Sequence, residues 1–225
     1  VDTFYSIVNF FVQGGPFMYP ILLVAAVGTA IAVERYVTLS RQGVKNRAAW
    51  ARVEPSLLKG EFDKARDLTS KDDTAISRLL SIGLALQGTV RRRDDVEKAM
   101  EESMMETIPQ LQKRTHYLAT FANLATLLGL LGTVSGLIHA FAAVATVNPA
   151  EKANLLSASI SEAMNCTAFG LMTAVPLLFV HALLQTKTTE LIDGLETASV
   201  KFLNALANRA RPAGSVSHLG LAKAG

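Results

Sequence analysis

Two stretches of the sequence set hydroxyls among small residues at helical spacing. In residues 125–141 (ATLLGLLGTVSGLIHAF), Thr126, Thr133 and Ala140 are seven apart and share a helix face, while Gly129, Gly132, Gly136 and Ala140 recur at steps of three and four. In residues 162–176 (EAMNCTAFGLMTAVP), Ala163, Thr167, Gly170 and Ala174 fall on one similar face. Small faces of this kind let two helices approach closely, and hydroxyls beside them can hydrate or orient an ion without titrating near neutral pH. The chemistry on offer is therefore ion passage between packed helices. Each threonine has a second reading, a bond from its hydroxyl to the carbonyl one turn earlier, and both readings stay open in the sequence.

Other polar groups surround these faces. Asn123 and Asn165 sit in apolar runs, where an amide suits a helix–helix hydrogen bond better than an ion site. His139 and His181 could titrate, but a hydrogen-bonded or interface-facing histidine suits either position better. Glu162 suits either the N-terminal end of a helix or the outer mouth of a pathway. Residues 117–147 and 163–186 contain no Asp or Glu. If protons move here, the titrating carboxylate has to come from another polypeptide. A nucleophile–base pair, an HExxH motif and a carboxylate dyad at membrane depth are all missing from the sequence, and Cys166 has no base close along the chain. The expectation is a protein that is not an enzyme and uses no metal or cofactor beyond a transported ion.

These faces need apolar helices to carry them, and the composition supplies such helices. Of 225 residues, 50% are hydrophobic and 18% charged, below the roughly 25% charge of a soluble domain. The single cysteine excludes a disulfide framework within one chain. Three stretches are long and apolar enough to span about 30 Å of hydrocarbon: residues 16–34, 117–147 and 162–186. Sixteen Lys and Arg lie in residues 35–114, five in 187–223 and only Lys152 between the last two spans. By the positive-inside rule, residues 35–116 and the C-terminus face the cytoplasm, whereas the N-terminus and residues 148–161 face outward. That placement accounts for the net charge of +3 without nucleic-acid binding.

The predicted architecture is an all-α integral membrane protein with three transmembrane helices and long cytoplasmic helical extensions. Residues 1–15 are expected to form an amphipathic helix on the outer face, ahead of Gly14, Gly15 and Pro16. In residues 35–116, breaks are expected at Pro55, Gly60, Gly83 and Gly88, with helices near residues 60–68, 75–86 and 91–113. The last of these should run into the second span, kinked at most by Pro109. Residues 148–161 are expected to be a loop. After the third span, Leu191, Leu195, Ala198, Phe202 and Leu206 make an apolar stripe on a helix over 187–212. Residues 213–225 read as a disordered tail.

Residues 127–141 followed by 161–176 resemble the MotA/TolQ/ExbB proton-channel family, through GLLGTVSG and the EAxxxTAxGLxxAxP pattern. Three spans and an outward N-terminus resemble its ExbB and TolQ branch. The resemblance implies a homo-oligomeric ring of five copies around the membrane helices of an ExbD/TolR-like single-span partner, whose intramembrane Asp would carry the proton. A TonB/TolA-like protein would be a further partner, and the lipid bilayer the surroundings. On this resemblance Thr133 and Thr167 match the pore-lining threonines, and Glu162 matches the acid at the start of the third span. The implied activity is an inner-membrane stator that converts ion flow, of protons by the branch resemblance, into mechanical work on the cell envelope. The competing expectation is a non-conducting scaffold that oligomerises around a partner helix.

Overall fold

The computed structural model describes residues 10–11, 14–87 and 92–210. These residues form six principal helices: α1 (Met18–Leu58), α2 (Phe62–Ser70), α3 (Ala75–Leu86), α4 (Arg93–Gln112), α5 (Thr115–Thr146) and α6 (Lys152–Ala210). Most of the residues expected in the amphipathic N-terminal helix, the break expected at Gly88 and the tail over 213–225 lie outside the described residues. Three helical segments are long and apolar enough to cross a membrane, beginning at Met18, Arg93 and Lys152. Helices suit that setting because they satisfy every backbone N–H and C=O internally. Their exposed faces agree with it, since Leu127, Phe141 and Phe179 are each more than half exposed and a soluble monomer rarely shows apolar area on that scale. The fold is that of an all-α membrane protein.

The chain divides into two compact units. The first comprises residues 1–37 and 113–185. Its core holds Met18, Ile21, Leu118, Ala122 and Ala125, all buried. Phe169 takes the ring of Phe11 edge-on, with centroids 4.9 Å apart. At one end of this unit Arg114 Nη1 donates to both carboxylate oxygens of Glu34 at 3.0 Å. His181 Nδ1 lies 3.1 Å from the Thr115 carbonyl oxygen, a bond that requires the ring proton on Nδ1.

The second unit comprises residues 38–112 and 186–225. Here the stripe of α6 finds its cover: Leu195, Ala198 and Phe202 are buried, together with Leu79, Leu80 and Leu84 of α3 and Met100 of α4. Phe62 of α2 meets Phe202 edge-on at 6.4 Å. Thr74 caps α3 by accepting from the Ser77 N–H at 3.3 Å. Lys201 donates to Glu54 at 2.6 Å, and its ammonium also lies 5.4 Å from the centroid of the Trp50 ring.

Several expected boundaries move. Pro55 lies inside α1, which runs on to Leu58, and the turn follows at Gly60, whose φ is +72°. Proline leaves one carbonyl unpaired within a helix, but so close to the helix end the loss is small. Gly83 is buried within α3 because a methyl there would stand 2.5 Å from the Phe202 ring and 2.9 Å from the Met100 sulfur. It marks a contact, not a break. Pro109 is accommodated inside α4, and the break before the second span comes at Lys113 and Arg114 instead. Arg114 has φ +65°, a left-handed conformation rare for a side chain of this size; its guanidinium is held by Glu34. Residues 148–161 are mostly not a loop, because α6 begins at Lys152.

Candidate functional site

The small residues of α5 and α6 meet along one seam in the first unit. A methyl on Gly170 would stand 2.6 Å from the Ala125 carbonyl oxygen and 3.1 Å from the Gly129 Cα. One on Gly129 would meet the Cα atoms of Gly170 and Thr167 at 3.3 Å. Further along the seam Gly132 takes the side chain of Cys166, and a methyl on Gly136 would stand only 2.9 Å from the Ala163 Cβ. Ala140, Ala163 and Ala174 are buried, while Gly136 is half-buried. Backbones this close gain van der Waals contact that lipid tails cannot match.

The seam also decides where the hydroxyls point. Thr167 Oγ1 donates across the helix pair to the Gly129 carbonyl oxygen at 2.8 Å. In the α-helical ladder that same carbonyl faces the backbone N–H of Thr133, four residues on. Thr133 Oγ1 donates within its own helix to Leu130 O at 2.6 Å, and Thr126 Oγ1 to Ala122 O at 3.1 Å. All three hydroxyl protons are thus engaged by backbone carbonyls. What the oxygens retain is lone-pair capacity, so toward anything outside the chain they act as acceptors. A hydrated proton or a protonated carboxyl on another helix is matched by such oxygens; an anion is not.

The remaining polar positions do not join this cluster. Asn123 and His139 are exposed and Asn165 is half-buried; among the described residues no hydrogen bond engages either amide. Glu162 sits elsewhere on α6. It precedes Thr167 by five residues, about 140° around the helix, and its carboxylate lies against the Cα of Gly15. The structure therefore joins Thr167 to the turn carrying Thr133, but sets Glu162 beside the start of α1.

Gly15, expected only as part of the turn after the N-terminal helix, also receives Glu162. Its φ is +74° and the Glu162 carboxylate occupies the place of a Cβ, so the position needs glycine both for conformation and for space. Gly15→Ala is expected to destabilise the protein by about 1–3 kcal/mol. Thermal unfolding of the purified variant in detergent checks this, and an unchanged melting temperature would show that the contact with Glu162 carries no weight. The Arg114–Glu34 pair was equally unannounced, because residues 80 apart in sequence leave no periodic signal.

The joined threonines, the glycine seam and three apolar helices make up one arrangement, and residues 71–197 match the MotA/TolQ/ExbB proton channel family. The chain belongs to that family. Among relatives on its ExbB/TolQ branch, a proposed biopolymer transport protein, ExbB-like 1, of Synechocystis sp. is 29% identical over 81% of this chain and 72% of its own length. A proposed ExbB homolog of Methanothermobacter thermautotrophicus is 26% identical over 87% of this chain and 69% of its own. The Tol-Pal system protein TolQ of Haemophilus influenzae is 34% identical over 43% of this chain and 39% of its own. Family membership and the three apolar helices make this ExbB/TolQ-like chain a multi-pass inner-membrane protein.

Proposed function

We propose that this ExbB/TolQ-like chain is the fixed, channel-forming subunit of an inner-membrane motor driven by the proton motive force. Several copies, five by family resemblance, surround the membrane helix of an ExbD/TolR-like single-span partner, and a TonB/TolA-like protein receives the work. On this reading the N-terminus is periplasmic and the C-terminus cytoplasmic, which the lysine and arginine distribution supports. The chain performs no bond-making reaction.

The observation that carries this reading is the bond from Thr167 to the Gly129 carbonyl. It fixes a hydroxyl at the seam with its lone pairs free, within spans whose residues 117–147 and 163–186 hold no carboxylate of their own. A partner aspartate arriving protonated could donate to these oxygens and then release its proton, while the ring supplies acceptors at fixed positions. Proton passage would be coupled to displacement of the partner helix because its carboxyl changes charge at each transfer, and a charged carboxylate is costly in lipid. Glu162, near the start of α1, acts at the outer mouth on this reading and not beside the threonines.

A second reading is favoured by the same hydroxyls, since all three are already satisfied within the chain. A membrane scaffold would need no more than that. Proton uptake into liposomes carrying the chain with its co-purified single-span partner separates the two. Uptake that depends on both proteins supports the motor, whereas tight vesicles with an assembled complex support the scaffold. Thr133→Val refines the result. Losing an internal back-bond should change stability by less than about 0.5 kcal/mol, while uptake should fall; uptake at the wild-type rate would leave the hydroxyl with its back-bond alone.

A further inference from the structure

Two exposed helix faces in the second unit carry opposite charge. On α1, residues 38–53 contain Arg41, Lys45, Arg47 and Arg52 and no acidic residue. Arg41, Val44, Ala48 and Arg52 follow one another at steps of three and four, so they share a face, and all four are exposed, Val44 at 72%. On α4, residues 94–106 contain six acidic residues against the single cation Lys98. Glu101 and Glu102 stand one turn before Met105 on its exposed side, and Met105 too is 72% exposed.

Each face thus has an exposed apolar centre amid a net excess of one charge, although Lys98 shares the α4 face, seven residues before Met105, and Glu190 and Asp193 of α6 line a groove with Val44, Arg47 and Ala48. The ion pairs found among the described residues engage none of the flanking groups. Like charges crowded on one helix repel and lower its stability, so the excess that remains on each face is offset by the other's charge. Both belong to the same compact unit of one chain, and each is open on that chain. We propose that they are the two halves of one interface between copies, with the α1 face of one copy seated on the α4 face of the next and Val44 placed near the neighbour's Met105. This deepens the ring assembly of the proposed function and rests on it. Because the two halves differ, the contact is heterologous, head to tail, which is the kind of contact that generates a closed ring when its rotation closes.

Cysteine cross-linking in membranes tests the geometry, since Cys166 is buried and leaves the background low. Full-length chains carrying Val44→Cys and Met105→Cys are oxidised separately and after co-expression. The head-to-tail contact predicts a cross-linked dimer from the mixture, none from either chain alone, and a ladder from the double variant. A dimer from Val44→Cys alone, or a double variant that closes only within one chain, overturns the proposal. Charge reversal tests the energetics in the purified oligomer. Arg41→Glu with Lys45→Glu, or Glu101→Lys with Glu102→Lys, should each lower the assembled fraction about tenfold at moderate salt, and the four together should restore it. Wild-type assembly by both reversed proteins, with no cross-link from the mixture, overturns this interface and leaves the ring intact. A wild-type chain that is monomeric under the same gentle conditions overturns the ring, and this interface with it.

Discussion

Gly170→Ala is expected to cost the α5–α6 seam about 1–3 kcal/mol, the usual penalty for overfilling a close contact, and to lower the yield of assembled protein. The new methyl would meet the Ala125 carbonyl oxygen at 2.6 Å and the Gly129 Cα at 3.1 Å. Both are backbone atoms, so no side chain can swing aside and the helices themselves must part. Parting lengthens the Thr167–Gly129 bond, now 2.8 Å, and the loss should extend from stability to ion flow. Gly194 is the matched control. It is also helical, but a methyl there meets nothing within 4 Å, and alanine should be neutral or stabilising by about 0.5–1 kcal/mol. Melting temperatures of the two variants in the same detergent make the comparison. Equal behaviour would mean the seam is looser than these distances imply.

Thr167→Val should have the largest effect on function at the smallest cost in structure. Valine keeps the shape and removes the hydroxyl, along with a cross-helix hydrogen bond that in membranes averages about 0.6 kcal/mol. Folding, oligomer size and partner binding are therefore expected to survive. Partner-dependent proton uptake is expected to fall about tenfold or more, since a barrier raised by one hydrogen bond of about 1.4 kcal/mol gives that factor. Thr167→Ser retains the oxygen and should recover most of the rate. An assembled Thr167→Val complex with normal uptake would remove this hydroxyl from the pathway. Failure of the serine variant to recover would instead assign the effect to the packing of the threonine methyl.

The three apolar helices were legible because length and lack of charge are sufficient for a span, whatever the helix packs against. The family was legible through glycine and threonine at fixed spacing in residues 127–141 and 161–176. The helix at Ala75–Leu86 could be read from its own pattern, since Thr74 caps it and apolar periodicity fills it. Local signals misled where a distant residue decides the outcome. Gly83 looks like a breaker until Phe202 and Met100 occupy the space of its side chain. Pro109 looks like the place for a kink, yet the chain turns at Arg114, whose left-handed backbone is accompanied by a bidentate contact with Glu34.

The sequence by itself determined the spans and the absence of a carboxylate in residues 117–147 and 163–186, because each depends only on which residues are present and in what order. It left both readings of every threonine open. Only the tertiary structure could separate them: Thr126 and Thr133 bond within their own helix, while Thr167 reaches across to the backbone of α5. The physical reason is the glycine seam. A hydroxyl can reach a carbonyl of the facing helix only where Gly129 and Gly170 let the two backbones meet, and that distance is a property of the packed pair.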